Sequence, residues 1–176
     1  VHGVSLEDLR VGLTTVNAGT AQTPGRRNFV EIGDVTVLMD YAHNPAGLRG
    51  LADFVLKLPN KYRTVVLNGT GDRRDDDIRE FGKIAGDTFD RVVIRTGNYL
   101  RGRDPEELHT LLQEGIAQSA GTPTVRIIPD GRTAIHHAIK HARKGELVVT
   151  LADLVPKDIA YVQEYRDIVN EKKAAE

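Results

Sequence analysis

The polar segment DYAHNP, which follows an apolar run, contains side chains suited to binding or proton transfer. Asp40 can accept hydrogen bonds from the two adjacent hydroxyls of a ribose, or it can cap the backbone of its own loop, and its position leaves both interpretations open. His43 can contact phosphate or adenine, or transfer a proton near neutral pH, although a lone loop histidine more often lies at the surface. The segment is therefore a candidate binding site.

A second candidate is the glycine-rich turn NGTGDRRDDD. Its glycines permit close approach of a ligand to the backbone, and the planar guanidinium of Arg73 suits a carboxylate or a phosphate. The turn lacks the third glycine of a dinucleotide fingerprint. We predict that Asp72 and Arg73 bind a ligand, whereas the acids at 75–77 are explained by their place at a helix N-terminus.

Two other kinds of site are disfavoured. His136, His137 and His141 fall on one helix, but no H-E-x-x-H pattern or carboxylate triad accompanies them, which favours a solvated helix face over a metal site. The chain contains no G-x-x-x-x-G-K-[ST] loop, the sequence that cradles a nucleoside triphosphate. Any ATP site in this chain would therefore be a partial one.

The elements that must position these residues alternate between strands and helices. Asn44 and Pro45 are suited to the cap and first position of a helix, and Gly33 is suited to the turn of a hairpin. The predicted strands are 26–32, 35–39, 62–67, 91–95, 124–128 and 146–151, and the predicted helices are 45–58, 76–88, 105–119, 132–143 and 157–171. This order predicts an α/β fold with an N-terminal β-hairpin and a mostly parallel sheet that has helices on both faces. The polar loops after the strands then share one edge, where ligands of open α/β sheets bind.

Composition limits the class of protein. The 176 residues suffice for one domain, and 24 basic against 25 acidic side chains give no reason to expect nucleic acid or an anionic membrane as a partner. There is no cysteine, which fits a reducing compartment. No apolar run approaches the ~18 residues that cross a bilayer. We expect a cytoplasmic protein with a connecting arm at 1–25, containing a short helix around Leu6 to Leu13, and a domain at 26–176.

The segment PGRRNFVEIGDVTVLMDYAHNPAGL, together with NGTGDRRDD and LVVTLAD, resembles the C-terminal domain of the Mur ligase family. The resemblance extends over nearly the whole chain from Pro24 onward. It implies a Rossmann-like fold and the role of a mobile lid in an ATP-dependent ligase that forms amide bonds. The partner implied is an upstream central ATPase domain, which would carry the P-loop and hold most of the Mg²⁺ site.

The resemblance also implies roles for individual nucleotide-binding residues. Arg26 would reach the nucleotide phosphates and Asp40 would hold the ribose. His43 and Asn44 belong to the same motif and would lie beside the nucleotide.

The resemblance further implies that the glycine-rich turn and the loop after the next strand bind the incoming amino acid. The residues concerned are Asp72, Arg73, Asn98 and Arg101. Many family members have D-N-P-R in the second loop, whereas Arg101 lies one place later here, and the common G-K-G-H-E after the last strand is replaced by LADLV at 151–155. The usual muropeptide pocket is therefore not expected.

The resemblance also implies a reaction that joins an amino acid, with arginine favoured, to an aspartate side chain of an acidic peptide through an acyl phosphate. Asp72 or the acids at 75–77 are candidates to bind the guanidinium of the incoming arginine. The isolated chain is expected to be inactive because it has no P-loop. The alternatives are a muropeptide or folylpolyglutamate type ligase, and a stand-alone module that binds a nucleotide or amino acid without catalysis.

Overall fold

The computed structural model describes Ser5 and residues 23–174. The arm predicted at 1–25, with its short helix, lies mostly outside the described residues. The strands are β1 (Asn28–Ile32), β2 (Val35–Asp40), β3 (Arg63–Leu67), β4 (Arg91–Ile94), β5 (Thr124–Ile127) and β6 (Leu147–Leu151). The helices are α1 (Pro45–Val55), α2 (Asp75–Thr88), α3 (Pro105–Ala117), α4 (Gly131–Lys140) and α5 (Val155–Ala174).

The strands form one six-stranded sheet in the order β1-β2-β6-β3-β4-β5. The pair β1 and β2 is antiparallel, and the pairs β2·β6, β6·β3, β3·β4 and β4·β5 are parallel. Ile32 pairs with Val35 across a two-residue turn in which Gly33 has a φ of 62°. The predicted α/β class, the N-terminal hairpin and the mostly parallel sheet are confirmed.

Helices cover both faces of the sheet, as predicted. Helices α1, α2 and α3 pack on one face through a core that includes Leu48, Val65 and Leu112. Helices α4 and α5 pack on the other face around Val66 and Ile135. Burying an aliphatic side chain of this size stabilises the fold by about 1.5–3 kcal/mol, so the apolar strands hold their two helix layers firmly in place.

The first strand begins two residues later than predicted. Gly25 and Arg27 have φ values of 72° and 49°, which are left-handed conformations that an extended strand does not contain. The chain therefore turns sharply just before β1. This turn brings the backbone N–H of Arg27 within 3.2 Å of Oδ2 of Asp40, at the end of the neighbouring strand β2.

All five parallel strands end at the same edge of the sheet. The loops that follow β2, β3, β4 and β6 therefore meet there, which is the arrangement expected for ligand binding in an open α/β sheet. Within the described residues, no helix is long and apolar enough to cross a membrane.

Candidate functional site

Two adjoining clefts open at the carboxyl edge of the sheet. The larger one, here called the elbow cleft, has a volume of about 560 Å³ and lies between the turn before β1 and the N-terminus of α1. The smaller one, here called the turn cleft, has a volume of about 150 Å³ and lies beside the glycine-rich turn. Tyr41, Ala42 and His43 line both clefts, so a ligand in one would lie next to a ligand in the other.

Asp40 at the end of β2 holds together the backbone around the elbow cleft. Its Oδ1 accepts a hydrogen bond of 2.9 Å from the N–H of Ala42, and its Oδ2 accepts one of 3.2 Å from the N–H of Arg27. The loop-capping interpretation of Asp40 is thus observed. Because each carboxylate oxygen can accept more than one hydrogen bond and Asp40 also lines the elbow cleft, this capping leaves it able to accept from a ribose.

Asn28 shapes the turn that carries Arg26. The fully buried side chain of Asn28 accepts a hydrogen bond of 2.6 Å from the N–H of Gly25 and donates one of 3.0 Å to the carbonyl of Thr23. Arg26 extends from this turn, with its guanidinium carbon 5.5 Å from the centroid of the Tyr41 ring. Asn28 was not predicted as a site residue, because its burial at the start of β1 is visible only in the structure.

An aromatic row leads from Arg26 toward the turn cleft. The rings of Tyr41 and His43 have centroids 5.0 Å apart, and Nδ1 of His43 is 3.1 Å from the carbonyl of Tyr41. In the neutral ring this contact places the proton on Nδ1, which leaves Nε2 as an acceptor. The two rings are tilted by 46° relative to each other, and either ring offers a face on which a planar ring of a ligand can pack.

The N-terminus of α1 closes the end of the elbow cleft. Asn44 caps the helix, with Oδ1 accepting a hydrogen bond of 2.8 Å from the N–H of Gly47. Pro45 occupies the first turn, as predicted. The partial positive charge of a helix N-terminus favours an anion, and Arg26 on the opposite side of the cleft has the same sign.

The turn cleft combines charges of both signs. Arg73 and Arg101 supply guanidinium groups, and Asp72 and Asp153 supply carboxylates. Nε of Arg73 is buried, and no hydrogen-bond partner for it lies among the described residues; the nearest carboxylate oxygen, on Asp72, is 3.7 Å away. A buried donor without a partner costs free energy, which an anionic ligand at this position would recover.

The loop after β4 forms the outer wall of the turn cleft. Arg101 adopts a φ of 51°, and its guanidinium carbon lies 5.6 Å from the centroid of the Tyr99 ring. The glycine-rich turn packs closely beneath this loop, where the N–H of Gly71 donates a hydrogen bond of 3.0 Å to the carbonyl of Tyr99. The left-handed backbone at a non-glycine residue is a form of strain found at ligand-binding positions.

Asn98 and Asp153 join the loops that follow β4 and β6. Both the backbone N–H and the side-chain amide of Asn98 donate hydrogen bonds to Oδ2 of Asp153, the latter at 2.7 Å. Asp153 is buried, with 8% of its surface exposed, and lines the turn cleft. Asn98 itself lines a separate cavity of about 230 Å³ on the other side of this contact.

A buried ion pair supports the floor of the turn cleft. Arg95 and Asp158 are almost fully buried and make two parallel hydrogen bonds, of 2.6 and 2.8 Å. The guanidinium of Arg95 also donates to the carbonyl of Leu151, and Asp158 accepts from the N–H of Asp153. The pair therefore fixes two residues that line the turn cleft.

Residues 25–154 match a family model described as Mur ligase, glutamate ligase domain. This chain belongs to the Mur ligase family. Curated relatives include the cyanophycin synthetases of Geminocystis herdmanii, which is 38% identical over 94% of this chain, and Trichormus variabilis, 36% identical over 98%. A UDP-N-acetylmuramoyl-L-alanyl-D-glutamate–2,6-diaminopimelate ligase of Alkaliphilus metalliredigens is 34% identical over 72% of this chain. The chain spans only 19% of the length of each of these two synthetases and 25% of that ligase.

Solved structures place this Mur ligase domain among similar folds. A UDP-N-acetylmuramoyl-L-alanyl-D-glutamate–2,6-diaminopimelate ligase matches 94% of the chain with a TM-score of 0.72 and 22% identity, and the match covers 35% of that protein. The Mycobacterium tuberculosis folylpolyglutamate synthase complexed with ADP and AMPPCP matches 91% of the chain and 35% of its own, with a TM-score of 0.63 and 22% identity. At these identities the likeness concerns the fold, and it agrees with the Rossmann-like architecture.

The Mur ligase domain brings most of the predicted site residues to its two clefts. The elbow cleft contains the four residues predicted to bind the nucleotide, Arg26, Asp40, His43 and Asn44. The turn cleft contains three of the four predicted to bind the amino acid, Asp72, Arg73 and Arg101. The fourth, Asn98, does not line the turn cleft; its side-chain amide donates a hydrogen bond to Asp153, and Asn98 lines the neighbouring cavity. Asp153 was not predicted as a site residue, because its burial and its hydrogen bonds from Asn98, 55 positions away, are visible only in the structure.

The acids at 75–77 are paired with arginines of the Mur ligase domain itself. Their oxygens lie 2.8 Å from Arg103, 3.3 Å from Arg79 and 3.0 Å from Arg74, in chain order. The Arg74 guanidinium, through its hydrogen bonds, holds the pKa of Asp77 below its ordinary value. These pairs, together with the helix N-terminus, account for the three acids without a ligand.

The three histidines in and just after α4 do not converge on one point of the Mur ligase domain. Nε2 of His136 is 2.9 Å from the carbonyl of Tyr161, whereas His137 and His141 stack with centroids 4.1 Å apart. Over the described part of the chain, no group of three or more potential metal-binding side chains occurs.

Proposed function

We propose that this Mur ligase domain is the lid of a cyanophycin synthetase-like enzyme, where it clamps ATP and holds the incoming amino acid. The observation that carries the proposal is the adjacency of the elbow cleft and the turn cleft, which share Tyr41, Ala42 and His43. A ligase of this kind needs its nucleotide and its amine substrate next to each other. The relatives at 36–38% identity are consistent with this assignment.

The reaction proposed for the whole enzyme has two steps. A carboxylate oxygen of the acceptor peptide attacks the γ-phosphorus of ATP, which forms an acyl phosphate and releases ADP. The neutral amine of the incoming amino acid then attacks the acyl carbon, phosphate leaves and the amine loses its proton. Mg²⁺ and ATP would be held mainly by an upstream central domain, and Mg²⁺ would neutralise the transferring phosphoryl group.

This chain would contribute binding, orientation and the exclusion of water. Arg26 and the N-terminus of α1 provide positive charge for the nucleotide phosphates, and Asp40 provides acceptors for the ribose. Arg73 and Arg101 are available for the carboxylate of the amino acid. Closure of the lid would place the amine near the acyl phosphate and protect that intermediate from hydrolysis.

The proposed amino acid is arginine, which would be joined to an aspartate side chain of an acidic peptide. A second candidate within the family is a muropeptide ligase, which is favoured by the 34% identity to the diaminopimelate ligase.

The test uses the full-length protein that contains this chain, with ATP, Mg²⁺ and a panel of amino acids. The acceptors are an aspartate-rich peptide and a muropeptide. We expect ADP release that requires both arginine and the aspartate-rich peptide. Release with diaminopimelate and the muropeptide instead would support the second candidate. If ADP release depends on no amino acid in the panel, the ligase assignment is wrong.

A further inference from the structure

We infer that Asp153 is the residue that selects an amino acid with a cationic side chain, and that Asn98 positions Asp153 instead of touching the substrate. This inference rests on the proposed function. The carboxylate that binds the guanidinium is then the buried Asp153 in the loop after β6, and not Asp72 or one of the acids at 75–77.

The first observation is the way in which Asp153 is held. Oδ2 accepts both hydrogen bonds from Asn98, and the backbone N–H of Asp153 donates one of 2.7 Å to Asp158. No hydrogen bond from the described residues reaches Oδ1. The carboxylate is therefore fixed in orientation, and Oδ1 keeps its capacity to accept a hydrogen bond from a ligand in the turn cleft, which Asp153 lines.

The second observation is the depth of the carboxylate within the turn cleft. Leu151 and Ala152, which line the cleft beside Asp153, are buried, and Asp153 has 8% of its surface exposed. The side chain of Asp72 is 49% exposed. An ion pair at the buried position is less screened by water, so Asp153 discriminates charge more strongly than Asp72 does.

The chemistry of the substrate decides which of its cations meets Asp153. The α-amine is the nucleophile and must be neutral when it attacks, so a carboxylate that held it as an ammonium would oppose the reaction. The α-carboxylate of the amino acid is matched by Arg73 or Arg101. The carboxylate of Asp153 then remains for a second cationic group, which the side chain of the substrate must supply.

The other acids near the turn cleft are less suitable. Asp75 and Asp76 do not line it, and both are paired with arginines of α2 or of the loop before α3. Asp77 is paired with Arg74. A carboxylate with one available oxygen can pair with a guanidinium or with an ammonium, so Asp153 selects a cationic side chain, and arginine is the cationic amino acid of the proposed function.

The experiment compares arginine with citrulline, which has the same shape but a neutral side chain. In the full-length protein, kcat/KM is measured for each amino acid in ATP-dependent ligation, and melting temperatures are recorded for every variant. We expect the wild type to prefer arginine by about 10- to 100-fold, the range for one hydrogen bond to a charged group. Equal use of the two amino acids by an active enzyme would overturn the inference without any variant.

Two matched variants test which carboxylate causes the preference for arginine over citrulline. Asp153→Asn retains an oxygen that can accept from Asn98 but removes the charge, and we expect the arginine preference to fall at least tenfold through KM. Asp72→Asn, in the same cleft, should change it less than threefold. Loss of the preference in Asp72→Asn alone would overturn the inference.

The readouts separate this inference from the proposed function. If the enzyme ligates arginine but Asp153→Asn keeps the wild-type arginine-to-citrulline ratio, the role of Asp153 is wrong and the ligase assignment stands. If no amino acid is ligated, the ligase assignment itself fails. Asn98→Ala should lower the ratio of kcat/KM for arginine to that for citrulline, but arginine should remain the better substrate. The reason is that this substitution loosens Asp153 without removing its charge.

Discussion

Arg95 and Asp158 form a bidentate ion pair that connects the end of β4 to the first turn of α5. Their side chains are 3% and 2% exposed, and the pair also contacts the backbone of Leu151 and Asp153. Because a buried ion that loses its partner keeps the cost of its desolvation, this contact makes the loop after β6 sensitive to a single change.

Removal of one partner should destabilise the domain strongly. We expect Asp158→Ala to lower the free energy of unfolding by about 3–5 kcal/mol, since Arg95 then remains buried without a counter-charge. The matched control is Asp167→Ala on the same helix, whose pair with Arg166 is exposed and should contribute less than about 1 kcal/mol. Urea unfolding of the 176-residue chain measures both. Similar losses in the two variants would contradict the prediction.

The glycine-rich turn should tolerate no side chain at Gly71. A Cβ there would lie 1.8 Å from the carbonyl oxygen of Leu100. We expect Gly71→Ala to reduce stability by about 1–3 kcal/mol, because the backbone must move to relieve the overlap.

The control for Gly71 is a glycine with open space around it. Nothing lies within 4 Å of a Cβ built at Gly50, which is exposed on α1. Gly50→Ala should therefore stabilise the domain by about 0.4–1 kcal/mol through the lower entropy of the unfolded chain. The melting temperature and the urea midpoint should both fall in Gly71→Ala and both rise in Gly50→Ala. Shifts of the same sign in the two variants would refute this account.

Stability should depend on pH through His137. Burial lowers the pKa of this imidazole below its ordinary value of 6.5, and the neighbouring charges act in the same direction. The groups that face it are His141, Arg126, Arg91 and Lys140. The unfolded chain therefore takes up a proton before the folded protein does, so this contribution to stability is present above pH 6.5 and is lost as pH falls through the folded pKa.

The variant His137→Gln isolates that contribution. Between about pH 7 and about pH 5 it should lose less stability than the wild type, because the linked protonation is absent. The measurement is the free energy of unfolding in urea at several pH values. Identical slopes for the wild type and the variant would show that His137 does not contribute.

The proposed contact between Arg26 and the nucleotide can be tested by comparing Arg26 with another arginine of the same region. In the full-length enzyme we expect Arg26→Ala to raise the KM for ATP about tenfold or more, since a charge-assisted contact to phosphate is lost. Arg49 is exposed on α1, where it pairs with Glu80 outside the elbow cleft. Arg49→Ala should leave the KM for ATP unchanged, and equal effects would remove Arg26 from the nucleotide site.

Local patterns in the sequence determined the elements of this domain and where most of its polar loops meet. The cap and first residue of α1, the glycine turn between β1 and β2, and the alternation of strands with helices are encoded within a few residues each. Because parallel strands end at one edge, these patterns placed Asp40, Arg73 and Arg101 at the same edge of the sheet, and the family resemblance added Arg26 to them.

Tertiary structure alone decided the environment of each charge. Asp153 is buried where it accepts hydrogen bonds from Asn98 and donates one to Asp158. Asp158 in turn pairs with Arg95 across a separation of 63 positions, which local patterns do not encode. Tertiary contacts also place the side-chain amide of Asn98 on Asp153, and they make Asn28 the support for the turn that carries Arg26. The burial and pairing of a side chain depend on residues that are distant in sequence. They determine which of several similar carboxylates can distinguish a charged ligand from a neutral one.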